Sequence, residues 1–198
     1  MYENMMENKI LKKNVKMALE IFRNKDFLLL ENDVNEITIN HKIAEYLGLM
    51  FKEMDVDIEY NRVEDEVKYL SGFNEINIKE WLLDSGNKKL FFNLFNQKDI
   101  YNLELVEKIE NRIRSGLIKS EDNKLKKGIY PDIIIHKRNT DYNLLAIEVK
   151  KSNNFSKDQV LYDIIKLVKY KAGLLNYEYC LFIKINIDSK KCYEFFWI

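Results

Sequence analysis

The only proline of this chain, Pro131, stands directly before Asp132 and the apolar run Ile133-Ile134-Ile135 that ends at His136. Proline has no N–H to donate to a sheet ladder and is tolerated at the start of a strand. A β-branched run bounded in this way reads as a short strand. Asn139-Thr140-Asp141 is turn material, and Asn143 to Lys150 reads as a second strand. A β-hairpin closing near Thr140 therefore constrains the fold more than any other segment.

Alternate residues of a strand share a face, so Glu148 and Lys150 point one way while Ile147 and Val149 point into the core. The same hairpin sets Asp132 about opposite Glu148, and cross-strand neighbours on one face have Cβ atoms roughly 5 Å apart. Two carboxylates at that spacing can share one hard cation, with an ammonium beside them. Mg²⁺ suits such a pair, since it binds through one or two carboxylates and keeps several waters. It polarises a phosphoryl centre and lowers the pKa of a bound water, while Lys150 can orient that water or stabilise charge in the transition state. The blander account is a solvated polar hairpin face. Against it, Leu144-Leu145-Ala146-Ile147 is apolar on both faces, and the strand becomes charged on one face only at its C-terminal end.

Around the hairpin the periodicities give an order of elements. Ile10, Leu11, Val15, Ala18, Ile21 and Phe22 predict an amphipathic helix from about 8 to 24, and Ile39, Ile43, Ala44, Leu47 and Met50 predict a second. Asp33 or Asn35 can cap the second helix. Glu36 falls in its first turn, stacked over Asn40 and Ile43. Residues 56–60 alternate as a strand. Residues 63–127 read as a helical insertion within a single domain spanning 1–198, with helical pieces around Lys79–Leu83, Lys88–Phe95 and Leu103–Leu117. Phe155 to Ala172 predicts a helix, and Tyr177–Ile187 and Cys192–Ile198 two further strands joined by a turn at Asp188-Ser189-Lys190. The class is α/β (α+β), a central mixed β-sheet flanked by helices.

Thirty-two basic and 32 acidic side chains balance, which argues against a polybasic binder relying on phosphate neutralisation. Such a balance is compatible with an enzyme that keeps its bases in one groove and its acids at a metal site. Met1–Lys13 lacks an apolar signal-peptide core, and no run approaches the roughly 20 apolar residues of a membrane span. A cytoplasmic protein is expected, with Cys180 and Cys192 as reduced thiols.

Pro131-Asp132 followed by Glu148-x-Lys150 on the next strand resembles the PD-(D/E)XK nuclease superfamily. The resemblance implies a restriction-endonuclease-like core and metal-dependent hydrolysis of phosphodiesters in nucleic acid, with DNA the expected substrate and Mg²⁺ or Mn²⁺ the cofactor. It implies that Asp132 and Glu148 bind the metal, with the Val149 carbonyl as a further ligand, and that Lys150 assists the attacking water. An acidic residue on a preceding helix often completes the family's site; Glu36 matches that role and Glu45 is the alternative. Arg62, in a segment similar to one in small bacterial members, becomes a phosphate contact. Glu-x-Lys alone carries little weight, since it recurs at Glu7–Lys9 and Glu66–Lys68 outside convincing strands; the weight lies in its joint occurrence with Pro131-Asp132 in a hairpin.

His136, on the Asp132 face, and Gln159, Asp163 and Lys166 on the helix after the hairpin are candidates for the substrate groove. The plainer readings are a polar strand end for His136 and an exposed helix face for the other three. A catalytically silent module of the same fold, binding nucleic acid or a protein, is the alternative to the enzyme. The insertion leaves room for a homodimer or a protein partner.

Overall fold

In the computed structural model, which describes residues 2–59, 62–63, 66–67, 130–154, 157–172, 175–187 and 192–198, the chain opens with helix α1 (Tyr2–Glu31). Leu11, Val15, Ala18, Leu19 and Phe22 recur at three- and four-residue spacing and are all buried, which is what holds the helix to the domain. The helix is broken close to the expected end near residue 24, and a short second helical segment follows the kink at Asp26. The polar run Arg23–Asp26 gives no local reason to continue, but Leu30 beyond it is buried in the core. Asp26 departs from helical geometry (φ −122°, ψ 16°), and its carboxylate accepts a hydrogen bond from the Tyr46 hydroxyl.

Helix α2 (Glu36–Met50) follows, capped by Asn35, whose side chain accepts from the Thr38 backbone N–H at 2.9 Å. Of the two cap candidates the structure uses Asn35, while Asp33 adopts a left-handed φ of 48° in the turn between the helices, a region that aspartate tolerates better than most residues. Ile39, Ile43, Ala44 and Leu47 of α2 are buried.

Five strands form one mixed sheet. In chain order they are β1 (Asp55–Ile58), β4 (Ile133–His136), β5 (Asn143–Lys151), β6 (Tyr179–Ile185) and β7 (Tyr193–Trp197), and they lie side by side in that order. A separate two-residue pairing joins β2 (Arg62–Val63) to β3 (Glu66–Val67), so Glu66 does sit in a strand, though a minimal one. The neighbours are antiparallel except β5 and β6, which run parallel. A parallel pair needs a crossover, and helix α3 (Lys157–Ala172) provides it.

The two faces of the sheet differ in what covers them. Ile133, Ile135, Leu145, Ile147, Val149, Leu181, Ile183 and Ile185 form one core with the buried residues of α1 and α2. The alternate residues, including Ala146, Glu148 and Phe182, face the other way, where α3 packs on β5 and β6. Each fully buried aliphatic side chain in such a core contributes about 1.5–3 kcal/mol relative to exposure. Cys180 and Cys192 are buried free thiols.

The chain is thus an α/β protein with three helices and a five-stranded mixed open sheet among the described residues, in the order of elements that the periodicities give except for the β2–β3 pairing, which falls at the start of the stretch 63–127 read as helical. The helical pieces expected within 63–127 lie outside the described residues. Among those described, no helix is long and apolar enough to cross a membrane.

Candidate active site

The β4–β5 register pairs Ile133 with Ile147. One step further it sets Asp132 opposite Glu148, and the next step would set Pro131 opposite Val149. Proline cannot donate to the ladder, so β4 ends there. Asp132 Oδ2 takes over part of the ladder's task by accepting the Val149 N–H at 2.7 Å. Because N–H and C=O of one strand residue turn to the same neighbouring strand, the Val149 carbonyl faces the same edge, with no proline N–H to accept. The Pro-Asp dipeptide therefore does two things: it stops the strand and brings a carboxylate to its end.

Glu148 projects from the opposite strand and is 1% exposed. Its Oε1 lies 2.8 Å from Lys166 Nζ. Lys166 Nζ is in turn 3.5 Å from Asp163 Oδ1, and Asp163 Oδ2 is 3.5 Å from Lys150 Nζ. Lys150 Nζ donates to Glu36 Oε2 at 3.1 Å. The result is a chain of alternating charge, Glu36–Lys150–Asp163–Lys166–Glu148, running from α2 through the end of β5 to α3 and back to β5. Asp132 stands beside it.

Within this group four carboxylates face two ammonium groups, leaving two negative charges in a largely buried site. The proton affinities respond accordingly. Burial pushes the Asp132 carboxyl up to about 6, against the opposing pull of the Val149 N–H and of Lys166 and Lys150. Burial likewise raises Glu148 well above the carboxylate range, with Asp132 and Asp163 adding to the shift and Lys166 opposing it. Burial works against the charge on both Lys150 and Lys166, but the surrounding carboxylates outweigh it and hold both above the ordinary lysine value.

Lys151 turns to the other face of the sheet, as alternation requires. It is 3% exposed. Its Nζ donates to Asp33 Oδ1 at 2.6 Å and to the Val34 carbonyl at 2.7 Å, and its backbone N–H donates to Glu36 Oε1 at 3.4 Å. Lys151 thus pins the α1–α2 turn to the sheet and helps place Glu36. Lys151→Met keeps the stem but leaves the Val34 carbonyl without this donor, and a loss of about 1–3 kcal/mol is expected in urea unfolding. A change below about 0.5 kcal/mol would show that solvent replaces the contact without cost.

The structure gathers Asp132, Glu148, Val149, Lys150, Glu36 and Lys166 into one group. Glu36, not Glu45, is the α2 acid there; Glu45 pairs with Lys42 at 2.9 Å, beside an open groove of about 680 Å³ between α2 and β1 that His41 also lines. His136 is buried and lies 2.8 Å from Asp57 through Nε2. Asp57 also binds Arg138; that contact and the one to His136 together outweigh burial and depress its proton affinity. His136 stands about 13 Å along β4 from Asp132 at strand spacing. Gln159 is exposed, one turn before Asp163 on α3. Arg62 lies in the small β2–β3 sheet, apart from the sheet that carries the carboxylates.

Asp163 and Lys166 are not on an exposed helix face. Residues 163–170 are buried without interruption, which traps both side chains against β5. The sequence held a sign of this, since Val160, Ile164, Ile165, Leu167 and Val168 occupy more than one helical stripe, and a helix apolar on several sides is a buried one.

Among the described residues, no group of three or more His, Cys, Asp or Glu side chains is disposed to hold a metal ion by itself. That excludes a closed four-ligand structural site there. The Asp132 carboxylate and the buried Glu148 carboxylate are oxygen donors of the kind a hard divalent cation takes. In comparisons with family models, with curated proteins and with solved structures, nothing matches this chain.

Proposed function

We propose that this chain is a metal-dependent nuclease of the PD-(D/E)XK kind, built on a restriction-endonuclease-like core and hydrolysing phosphodiester bonds of nucleic acid, DNA in the first instance, in the cytoplasm. The observation that carries the reading is the register: Ile133 pairs with Ile147, which sets Asp132, one step beyond, at the level of Glu148, with Lys150 next on the same face of β5. Asp132, Glu148 and the Val149 carbonyl would hold Mg²⁺ or Mn²⁺. When bound, such an ion polarises the phosphoryl group and makes a nucleophile of water at neutral pH.

The protein's own residues do the rest. Lys150 is held between Glu36 and Asp163, so its ammonium is oriented before substrate arrives and needs little reorganisation. An ammonium carries three donors, and these two partners leave one for a phosphate oxygen or the attacking water. Glu36 fixes Lys150 from the α2 side and is partly open to solvent, where it can accept a hydrogen bond from water.

The test is cleavage of plasmid, linear duplex and single-stranded DNA, and of RNA, with Mg²⁺, Mn²⁺ or EDTA, by wild type and Lys150→Ala. Metal-dependent cutting that falls at least about a hundredfold in the variant is expected. Equal cutting by both proteins would remove Lys150 from the mechanism. A second reading, a catalytically silent module that binds nucleic acid or a protein partner, draws on the Lys166–Glu148 ion pair, because a carboxylate neutralised from within can persist without a metal. It predicts no Mn²⁺ uptake in calorimetry and no cleavage under any of these conditions.

A further inference from the structure

Lys166 has the residue type of a phosphate contact, yet its surroundings assign it other work. It is 7% exposed. Its ammonium faces three protein oxygens: Glu148 Oε1 at 2.8 Å, the Tyr130 carbonyl at 3.3 Å and Asp163 Oδ1 at 3.5 Å. The Tyr162 ring lies 5.5 Å away on a further side. The Tyr130 carbonyl accepts a hydrogen bond and the two carboxylates are ion-pair partners, so protein oxygens face this buried ammonium on three sides. Lys150 differs: two acceptors engage it, and its side chain is 16% exposed.

Asp163 is shared between the two lysines with one oxygen for each, which sets their separation and keeps each from the other's place. It is itself 4% exposed, and among the described residues its Oδ2 has no hydrogen-bond partner besides the 3.5 Å ion pair with Lys150. Helix α3 thus contributes a buried charged pair whose shortest contact outside the helix is with a carboxylate on the sheet's central strand. Glu148 Oε1 is buried, with the Lys166 ammonium as its ion-pair partner at 2.8 Å and no hydrogen bond to it among the described residues.

We propose that Lys166, anchored by Asp163, is the positioning residue of the Asp132–Glu148 pair: it holds Glu148 through one oxygen and so sets the other for a divalent cation shared with Asp132. The proposal rests on the metal-dependent reading above. Lys166 acts through Glu148 and touches neither substrate nor reacting atoms. Partners that orient a metal ligand in this way commonly govern affinity by 10–100-fold.

The test is calorimetric titration of Mn²⁺ into wild type, Lys166→Met, Lys166→Arg and Asp163→Asn, with no nucleic acid present. Lys166→Met is expected to bind Mn²⁺ at least about tenfold more weakly, with Lys166→Arg recovering affinity to within about threefold of wild type. Lys166→Met binding as tightly as wild type, or more tightly, overturns the proposal, because the ammonium would then be a bystander or a competitor of the cation. If Lys166→Met does not fold by far-UV circular dichroism, Asp163→Asn decides: an affinity about threefold weaker or more supports the anchor, and an unchanged affinity overturns it. Absence of Mn²⁺ binding by wild type sinks the metal-dependent reading and this inference with it. Binding by wild type without an effect of these variants sinks this inference alone.

Discussion

Asp132→Asn is expected to gain stability near pH 8 while losing metal-dependent cleavage by about a thousandfold or more. Asparagine keeps an oxygen for the Val149 N–H, so the 2.7 Å contact that ends the strand survives. What disappears is a buried negative charge. The folded-state value of Asp132 lies at about 6, above its ordinary 3.8, so the folded protein binds this proton more tightly than the unfolded chain does. Above pH 6 the residue is ionised in both states and the full penalty for the buried charge applies. Below about pH 4 it is protonated in both and the penalty is gone. The variant's advantage is therefore present at pH 8, declines as pH falls through 6, and vanishes near 4. At the high-pH end it reaches up to about 3 kcal/mol. Urea unfolding of both proteins in EDTA at pH 8, 6 and 4 measures it. An Asn variant less stable than wild type at pH 8 would mean that the ion pairs around Asp132 outweigh its burial.

Phe22→Ala should cost about 3–5 kcal/mol, the largest loss of stability expected from a single core truncation here. Phe22 is fully buried where α1 packs against α2 and the sheet, far from the charged face of β5. Its removal lowers the stability of the folded state without altering Asp132, Glu148 or Lys150. The variant then becomes a sensitive reporter of ligand binding. Mn²⁺ at a hundred times its dissociation constant should restore about 2.7 kcal/mol, because only the folded chain presents the paired carboxylates. Denaturant unfolding of Phe22→Ala with Mn²⁺ and with EDTA gives the answer. Equal midpoints in the two conditions would argue against a metal at this site, and a loss below about 1 kcal/mol would mean that the α1–α2 interface relaxes into the space.

The structure also explains why the acids and bases of the site must be close-set. Two excess negative charges in a buried group are destabilising unless a cation joins them. Lys166 and Lys150 supply only part of the compensation, and burial still lifts the proton affinity of both strand carboxylates.

The sequence by itself determined the hairpin, the order of helices and strands, and the face that Glu148 and Lys150 share. These depend on local terms: side-chain alternation with period two, helical recurrence, turn residues, and a proline that cannot continue a ladder. Because register follows from the turn and the apolar pattern, even the opposition of Asp132 and Glu148 was legible before any coordinates. Only the tertiary structure decided which acid of α2 reaches the site, since Glu36 and Lys150 lie 114 positions apart and meet through the packing of α2 on the sheet. It decided also that a second short helical segment follows the kink at Asp26, because the buried Leu30 and the Tyr46 hydroxyl that hold it there lie across a helix pair. Asp163 and Lys166 read as surface charges on a helix whose spacing alone does not say how many sides are covered. Burial of α3 against β5 turned them into the inner half of an ion chain, and burial is a property of the assembled layers rather than of any segment.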